Sequence, residues 1–225
     1  MRRDFISNLS HELRTPVSVI MANSETLLNG ALDNKKDAKI FAKAILHNSE
    51  RLSSMVSDLI DLSRIEYGDL KLNIKGIDFN DFMESFLVSM KSVAKKRDIE
   101  LKYNPDHQGL LSADTQALER IMNNLLDNAY KYSDEGTLVE VSTKDQGKMI
   151  KVMVADSGVG VSDEDQEHIF DRFYRTASAR ASDNKGSGLG LAIVKNLINS
   201  LNGEVGITPK KPSGSIFWFT IPKSK

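Results

Sequence analysis

The sequence predicts two units of different class. Residues 1–67 form an all-α helical hairpin, and residues 68–225 form an α/β sandwich of mostly antiparallel sheet under helices. Three observations carry this division. Between residues 2 and 67 there is one proline, Pro16, and one glycine, Gly30, so little interrupts helix there. After Gly68, apolar residues alternate in short runs bounded by turn residues, the period of half-buried strands. Stretches of helical spacing separate those runs, which layers helices on a sheet.

In the second helix Ile45, Leu52 and Leu59 share one heptad position, and Phe41, Met55 and Leu62 share the other, with Asn48 interrupting the row. This is a coiled-coil-like seam. Phe5, Leu9, Leu13, Val17 and Ile20 make a comparable stripe on the first helix, and a turn falls near residues 29–35. Two helices cannot enclose a core but four can, so the seam predicts a homodimeric four-helix bundle. The alternative is a hairpin packed on its own C-terminal half. Gly68 suits a helix C-cap.

Beyond it, Leu70, Leu72 and Ile74 alternate as a strand, and Asp78 can cap a helix running to about residue 96. A strand at 99–103 follows, then a helix from a cap at Asp114 to about residue 132. Strands at 138–142 and 149–155 join through Asp145-Gln-Gly-Lys as a hairpin. A short helix near 163–170, a polar stretch at 176–187, a helix near 188–201 and strands at 203–207 and 215–221 complete the chain.

Thirty Lys and Arg against 31 Asp and Glu leave a net charge of −1, which gives no bulk attraction for nucleic acid. The absence of cysteine excludes disulfides, thiolate metal sites and a thiol nucleophile. No apolar run approaches the roughly 18 residues of a membrane span.

Four clusters carry candidate chemistry. In Asn8-Leu-Ser-His11-Glu12-Leu-Arg-Thr15-Pro16, the inward stripe of Leu9 and Leu13 turns His11 outward. Glu12 can accept a ring N–H and orient the imidazole for nucleophilic attack. Thr15 shares the face of His11, and Pro16 predicts a kink one turn on. Late in the 115–132 helix, Asn124 and Asn128 share a face, with Lys131 and Tyr132 beyond; amide oxygens suit Mg²⁺, and a lysine neutralises phosphate. Asp156-Ser-Gly158-Val-Gly160 follows a strand and offers a carboxylate to an exocyclic amine, with glycines for close backbone approach. Gly186-Ser-Gly188-Leu189-Gly190 enters a helix as an anion site, with 176–185 as a lid. No Gly-x-x-x-x-Gly-Lys-Ser/Thr, dinucleotide fingerprint, His-Arg-Asp or Asp-Phe-Gly motif is present.

Phe5-Ile-Ser-Asn-Leu-Ser-His-Glu-Leu-Arg-Thr-Pro closely resembles the phosphoacceptor box of two-component sensor histidine kinases. The three later clusters resemble, in order, the family's N, G1 and G2 boxes, and Ile169-Phe-Asp-Arg-Phe-Tyr-Arg175 its F box. The resemblance implies a C-terminal fold shared with gyrase and heat-shock chaperones, and phosphorylation of His11 from ATP with Glu12 as base. Transfer to an aspartate of a response regulator receiver domain follows, and Thr15 serves a phosphatase activity. It further implies Mg²⁺ on Asn128, adenine on Asp156, phosphate near Lys131, adenine near Tyr132, and Gly186, Gly188 and Gly190 at the lid hinge. Arg175 would approach the γ-phosphate, or the F box is packing alone. Gly214-Ser-Ile-Phe departs mildly from the family's Gly-Thr-x-Phe. The chain begins ten residues before His11, so it reads as a cytoplasmic catalytic core whose parent is anchored in a bacterial inner membrane through a missing N-terminal region. The linker at 64–68 must flex for the ATP unit to reach His11. The rival readings are a phosphatase-dominated signalling protein, a dimeric ATP-gated binding module, and a serine-directed kinase of the same fold.

Overall fold

The computed structural model describes residues 2–181 and 186–224, without the side chains of residues 2–5, 91, 92, 96, 180 and 181. The hairpin forms as expected. Helix α1 (Arg2–Leu28) passes through a turn and a short 3-10 segment (Ala31–Asp33) into α2 (Lys35–Glu66). Asn34 starts α2 by accepting the Lys36 N–H at 3.0 Å. Gly68, at φ 74, ends it, and the Asp69 N–H closes on the Arg64 carbonyl at 2.9 Å. Helix α1 runs on through the buried Pro16, whose missing N–H frees the Glu12 carbonyl from the ladder.

One row of the expected seam divides its loyalties. Met55 and Leu62 are 2% and 1% exposed, and Leu62 joins the core of the C-terminal unit. The lower part of α2 therefore packs on its own chain, with Leu59 and Ile65 against the same core. Apolar side chains remain outside the hairpin. Ile6, Val17, Met21 and Leu28 on α1, and Leu46, Val56 and Ile60 on α2, are each at least 40% exposed. Val17, from the stripe read in the sequence, is among them.

After α2 come β1 (Lys75–Ile77), α3 (Phe79–Lys96), β2 (Glu100–Asn104), β3 (Leu111–Ala113), α4 (Thr115–Tyr132), β4 (Leu138–Gln146) and β5 (Met149–Ala155). Then follow α5 (Asp163–Gln166), α6 (Ala177–Ala181), α7 (Gly190–Ser200), β6 (Val205–Pro209) and β7 (Ser215–Pro222). The main sheet has the order β2-β4-β5-β7-β6, antiparallel except for the β2–β4 pair. A parallel pair needs a crossover, and residues 105–137, with β3 and α4, supply it. Strand β1 pairs with β3 in a separate two-stranded sheet. The expected strand at 70–74 is extended but unpaired: Leu70 and Leu72 pack on the core, and the Asn73 N–H goes to Asp114 Oδ2 at 2.8 Å. Helix α5 stops at Gln166, shorter than the expected 163–170.

Leu118, Ile121, Met122, Leu125, Leu126 and Ala129 bury one stripe of α4. They meet Val139 and Val141, Ile150, Val152 and Val154, and Phe217, Phe219 and Ile221 from the central strands, with Ile193, Val194, Leu197 and Ile198 of α7 beside them. Burial of this stripe turns Asn124, Asn128 and Lys131 to the other face of α4. Asp114 starts α4 by accepting the Ala117 N–H at 2.9 Å. Among the described residues no helix is long and apolar enough to cross a membrane.

Candidate nucleotide and phosphoacceptor site

The polar face of α4 floors a cavity of about 530 Å³. From Asn124 to Tyr132 the helix advances about 12 Å at 1.5 Å per residue, so its two ends serve different parts of a ligand. At the C-terminal end stand Tyr132, Asp156, Gly160, Ser215 and Phe217. Asp156 is 4% exposed, and its Oδ1 accepts the Gly158 N–H at 2.9 Å and the Ser215 N–H at 3.1 Å. Its other oxygen takes no hydrogen bond from a described residue and is left as an acceptor. Burial raises its pKa above the ordinary carboxylate value, partly offset by those two amides. Burial likewise raises the Tyr132 phenol, against the charge of Arg175.

Gly158 makes this end possible. A Cβ there would sit 2.1 Å from the Tyr132 carbonyl oxygen, a backbone atom at the end of α4. Gly158→Ala should therefore force α4 and the 156–160 loop apart, at about 1–3 kcal/mol. A thermal melt and a nucleotide titration check this, and both Tm and affinity should fall together.

The other part of the cavity gathers Asn124 and Asn128 of α4 with Gly186, Ser187, Gly188 and Gly190, and Lys131 stands one residue before Tyr132. Lys131 lies 3.7 Å from Asp127. A Cβ at Gly190 would come within 2.7 Å of Asn124 Oδ1, so the glycine lets the start of α7 close on α4. Gly188 has φ +70, and its carbonyl accepts the Phe173 N–H at 2.9 Å, locking the loop to the segment before it. Among the described residues no side chain caps α7, which leaves its first amides as donors for an anion.

The third wall comes from the hairpin. His47, Glu50, Arg51, Ser54, Met55 and Asp58, at spacings of three and four on α2, face the same cavity. Asp58, 7% exposed, pairs with Arg120 and accepts the Ser187 hydroxyl at 3.3 Å. Arg120 also reaches Asp61 at 3.2 Å. Burial pushes the Asp58 carboxyl up, and Arg120 pulls it partly back. Arg172 pairs with Glu66 at the end of α2.

His11 is exposed and lies outside the cavity lining. Glu12 bonds Arg51, at 3.3 Å from Oε2 to Nη2, rather than the imidazole. The Thr15 hydroxyl donates to the His11 carbonyl at 3.3 Å.

The cavity thus joins Asn124, Asn128, Lys131, Tyr132, Asp156, Gly160, Arg175, Gly186, Gly188 and Gly190. Gly158 lies behind it as a spacer. Leu189 corrects an expectation: its side chain is fully buried in the core, because an apolar residue entering α7 packs inward, and its N–H is held by Ser187 Oγ at 3.3 Å. Arg175 lines the cavity and donates to the Ala179 carbonyl, while Phe170 packs edge-on against Phe217. Part of the expected lid, residues 182–185, lies outside the described residues.

Residues 1–68 match the model of the His Kinase A (phospho-acceptor) domain, and residues 113–225 match that of the histidine kinase-, DNA gyrase B- and HSP90-like ATPases. The chain belongs to the sensor histidine kinase family. Among sensor histidine kinases, it is 36% identical over 98% of its length to the sensor-like histidine kinase SenX3 of Mycobacterium tuberculosis, of which it covers 54%. It is 33% identical over 98% of its length to the sensor histidine kinase WalK of Bacillus subtilis, covering 36% of that protein. The chain thus spans about half the length of SenX3. The histidine kinase AdeS of Acinetobacter baumannii shares the fold at a TM-score of 0.76 and 27% identity, over 96% of this chain and 98% of that one. The wall formed by α2 was not anticipated from sequence. Its signal was present, since polar residues at 47, 50, 51, 54 and 58 follow the helical repeat, but a solvated face gives the same pattern.

Proposed function

We propose that this chain autophosphorylates His11 from ATP and passes the phosphoryl group to an aspartate on the receiver domain of a response regulator. Residues 1–67 act as dimerisation and phosphoacceptor unit, and residues 68–225 as the ATP-binding unit. The observation that carries this reading is the cavity itself. It sets the buried Asp156 carboxylate beside the C-terminus of α4 and a glycine-rich loop with the start of α7 against Asn124, and closes both with the helix bonded to Glu12.

In this reading Asp156 accepts the adenine amine, and the α7 amides and Lys131 take the phosphates. Among the described residues no three His, Asp or Glu side chains converge as a metal cage. That suits Mg²⁺, which would take the Asn128 amide oxygen and fill its other positions from phosphate and water, supplying positive charge to the phosphates when bound. The lone pair of one His11 ring nitrogen forms the N–P bond as the bond from phosphorus to the bridging oxygen breaks, and that electron pair leaves with ADP. Glu12 takes the proton from the other ring nitrogen. Because His11 lies outside the cavity lining, the linker at 64–68 must let the ATP unit shift.

The exposed apolar faces of α1 and α2 support a homodimer with a second hairpin. Thr15, exposed beside His11, is assigned a phosphatase activity on the phosphorylated regulator. The parent protein is assigned to a bacterial inner membrane, with this core on the cytoplasmic side.

The test is incubation of the chain and of His11→Ala with γ-labelled ATP and Mg²⁺, followed by acid and alkali. Label that is acid-labile, alkali-stable and absent from the variant is expected. Acid-stable label would shift the reading to a serine-directed kinase, and bound ATP without label to a nucleotide-gated module.

A further inference from the structure

Arg51 occupies a position that no box of the sequence assigns. It stands on α2, yet its side chain lines the cavity that also holds Asn124, Asn128 and Lys131. The side chain is only 12% exposed. Its Nη2 pairs with Glu12 Oε2 at 3.3 Å, and its Nε is buried with no hydrogen-bond partner among the described residues. Other cations that line the cavity have partners of their own among the described residues. Lys131 pairs with Asp127 on α4, and Arg120 with Asp58 and Asp61. Arg51 is paired, among the described residues, to the acid that follows His11. A guanidinium presents its donors as a planar fork that fits a carboxylate and a phosphate equally well.

We propose that Arg51 is a positioning residue that exchanges Glu12 for the terminal phosphate of the bound nucleoside triphosphate. With the cavity free of a γ-phosphate, Arg51 holds the Glu12 carboxylate away from the His11 ring. When a γ-phosphate enters, its oxygens outbid the carboxylate for the fork, and the buried Nε gains an acceptor. Glu12 is then released to accept the N–H of the imidazole as the other ring nitrogen attacks phosphorus. The base is thereby armed by the presence of the third phosphate, so ADP leaves it restrained. The proposal rests on the reading that this cavity binds ATP and that His11 is the acceptor.

The test uses equilibrium binding, which does not depend on turnover. The full chain is titrated with ADP and with the non-hydrolysable β,γ-imido analogue of ATP, each with Mg²⁺. Wild type, Arg51→Ala, Arg51→Lys, Glu12→Gln and the double variant Arg51→Ala with Glu12→Gln are compared. Arg51→Ala should lose on the order of tenfold in affinity for the analogue, the scale of a charge-assisted hydrogen bond, with ADP affinity within about twofold. Arg51→Lys should keep part of the preference, since it retains charge without the fork, and it carries the test should the alanine variant fold poorly. Glu12→Gln should tighten the analogue several-fold by removing the competitor, and this gain should vanish in the double variant. An Arg51→Ala loss equal for both nucleotides, or a Glu12→Gln gain that persists without Arg51, would overturn the exchange. If wild type binds neither nucleotide, the ATP reading beneath it falls, and the proposal falls with it.

Discussion

Replacing Asp156 by Asn should lower ATP affinity about a hundredfold or more while leaving the fold intact. The reason lies in which atoms are already committed. Oδ1 holds the Gly158 and Ser215 amides, and an asparagine must keep its oxygen there to satisfy them. Its amide nitrogen is then forced toward the ligand, where it presents donors to the donors of an exocyclic amine. Stability should move the other way. Burial raises the Asp156 pKa, so the ionised carboxyl is a cost to the folded state. The sign follows from linkage: the cost is complete above the raised value and disappears as pH falls to the ordinary carboxylate range. Asp156→Asn should therefore melt at or above the wild-type temperature at pH 8, and that advantage should shrink on acidification. Nucleotide titration and melts at two pH values check both halves. A variant that still binds ATP would remove Asp156 from the base-recognition role.

Arg120→Ala should have the largest effect on how the two halves of the chain hold together. It strips the paired cation from Asp58, a carboxylate that is 7% exposed and whose remaining hydrogen-bond donor among the described residues is the Ser187 hydroxyl at 3.3 Å. Leaving that charge buried should cost about 1–3 kcal/mol, below the figure for fully buried pairs because the Arg120 side chain is itself 35% exposed. Asp58→Asn should be milder, since Arg120 keeps Asp61 at 3.2 Å. The Asp58 pKa is raised in the native protein, and loss of Arg120 raises it further. The penalty of Arg120→Ala is accordingly full at pH 8 and fades as pH falls and Asp58 takes a proton. Melts and proteolysis of the segment at 64–68 report this, and equal destabilisation by the two variants at every pH would contradict it.

Much of this architecture was legible because single elements declare themselves. Helix α4 has a cap at Asp114 and a buried stripe at three- and four-residue spacing, and β4 and β5 alternate cleanly around a Gln-Gly turn. Strands β1 and β3 were not legible, since three residues are too few to show a period. Leu70, Leu72 and Ile74 have that period, yet the backbone there has no neighbouring strand to join. At the site, glycines and asparagines signalled close approach and polar contact, and the cavity gathers most of them. The Leu189 side chain is buried in the core, a placement set by packing partners that lie far off in the chain. Asp58, Arg120 and Ser187 escaped notice because their meaning lies in long-range pairing, which no local window contains.

Helix α2 is one uninterrupted element of 32 residues, roughly 48 Å long at 1.5 Å per residue. Its cavity-facing residues and the exposed Val56 and Ile60 are fixed about its axis at about 100° per residue. Both surfaces therefore share one mechanical degree of freedom. A turn of about 20° that reseats Val56 and Ile60 moves a side-chain tip at a radius of about 6 Å by roughly 2 Å. That displacement breaks a hydrogen bond such as the one from Ser187 to Asp58 at 3.3 Å. A turn of α2 at Val56 and Ile60 thus reaches the Ser187–Asp58 contact through the helix itself, as a shaft transmits torque.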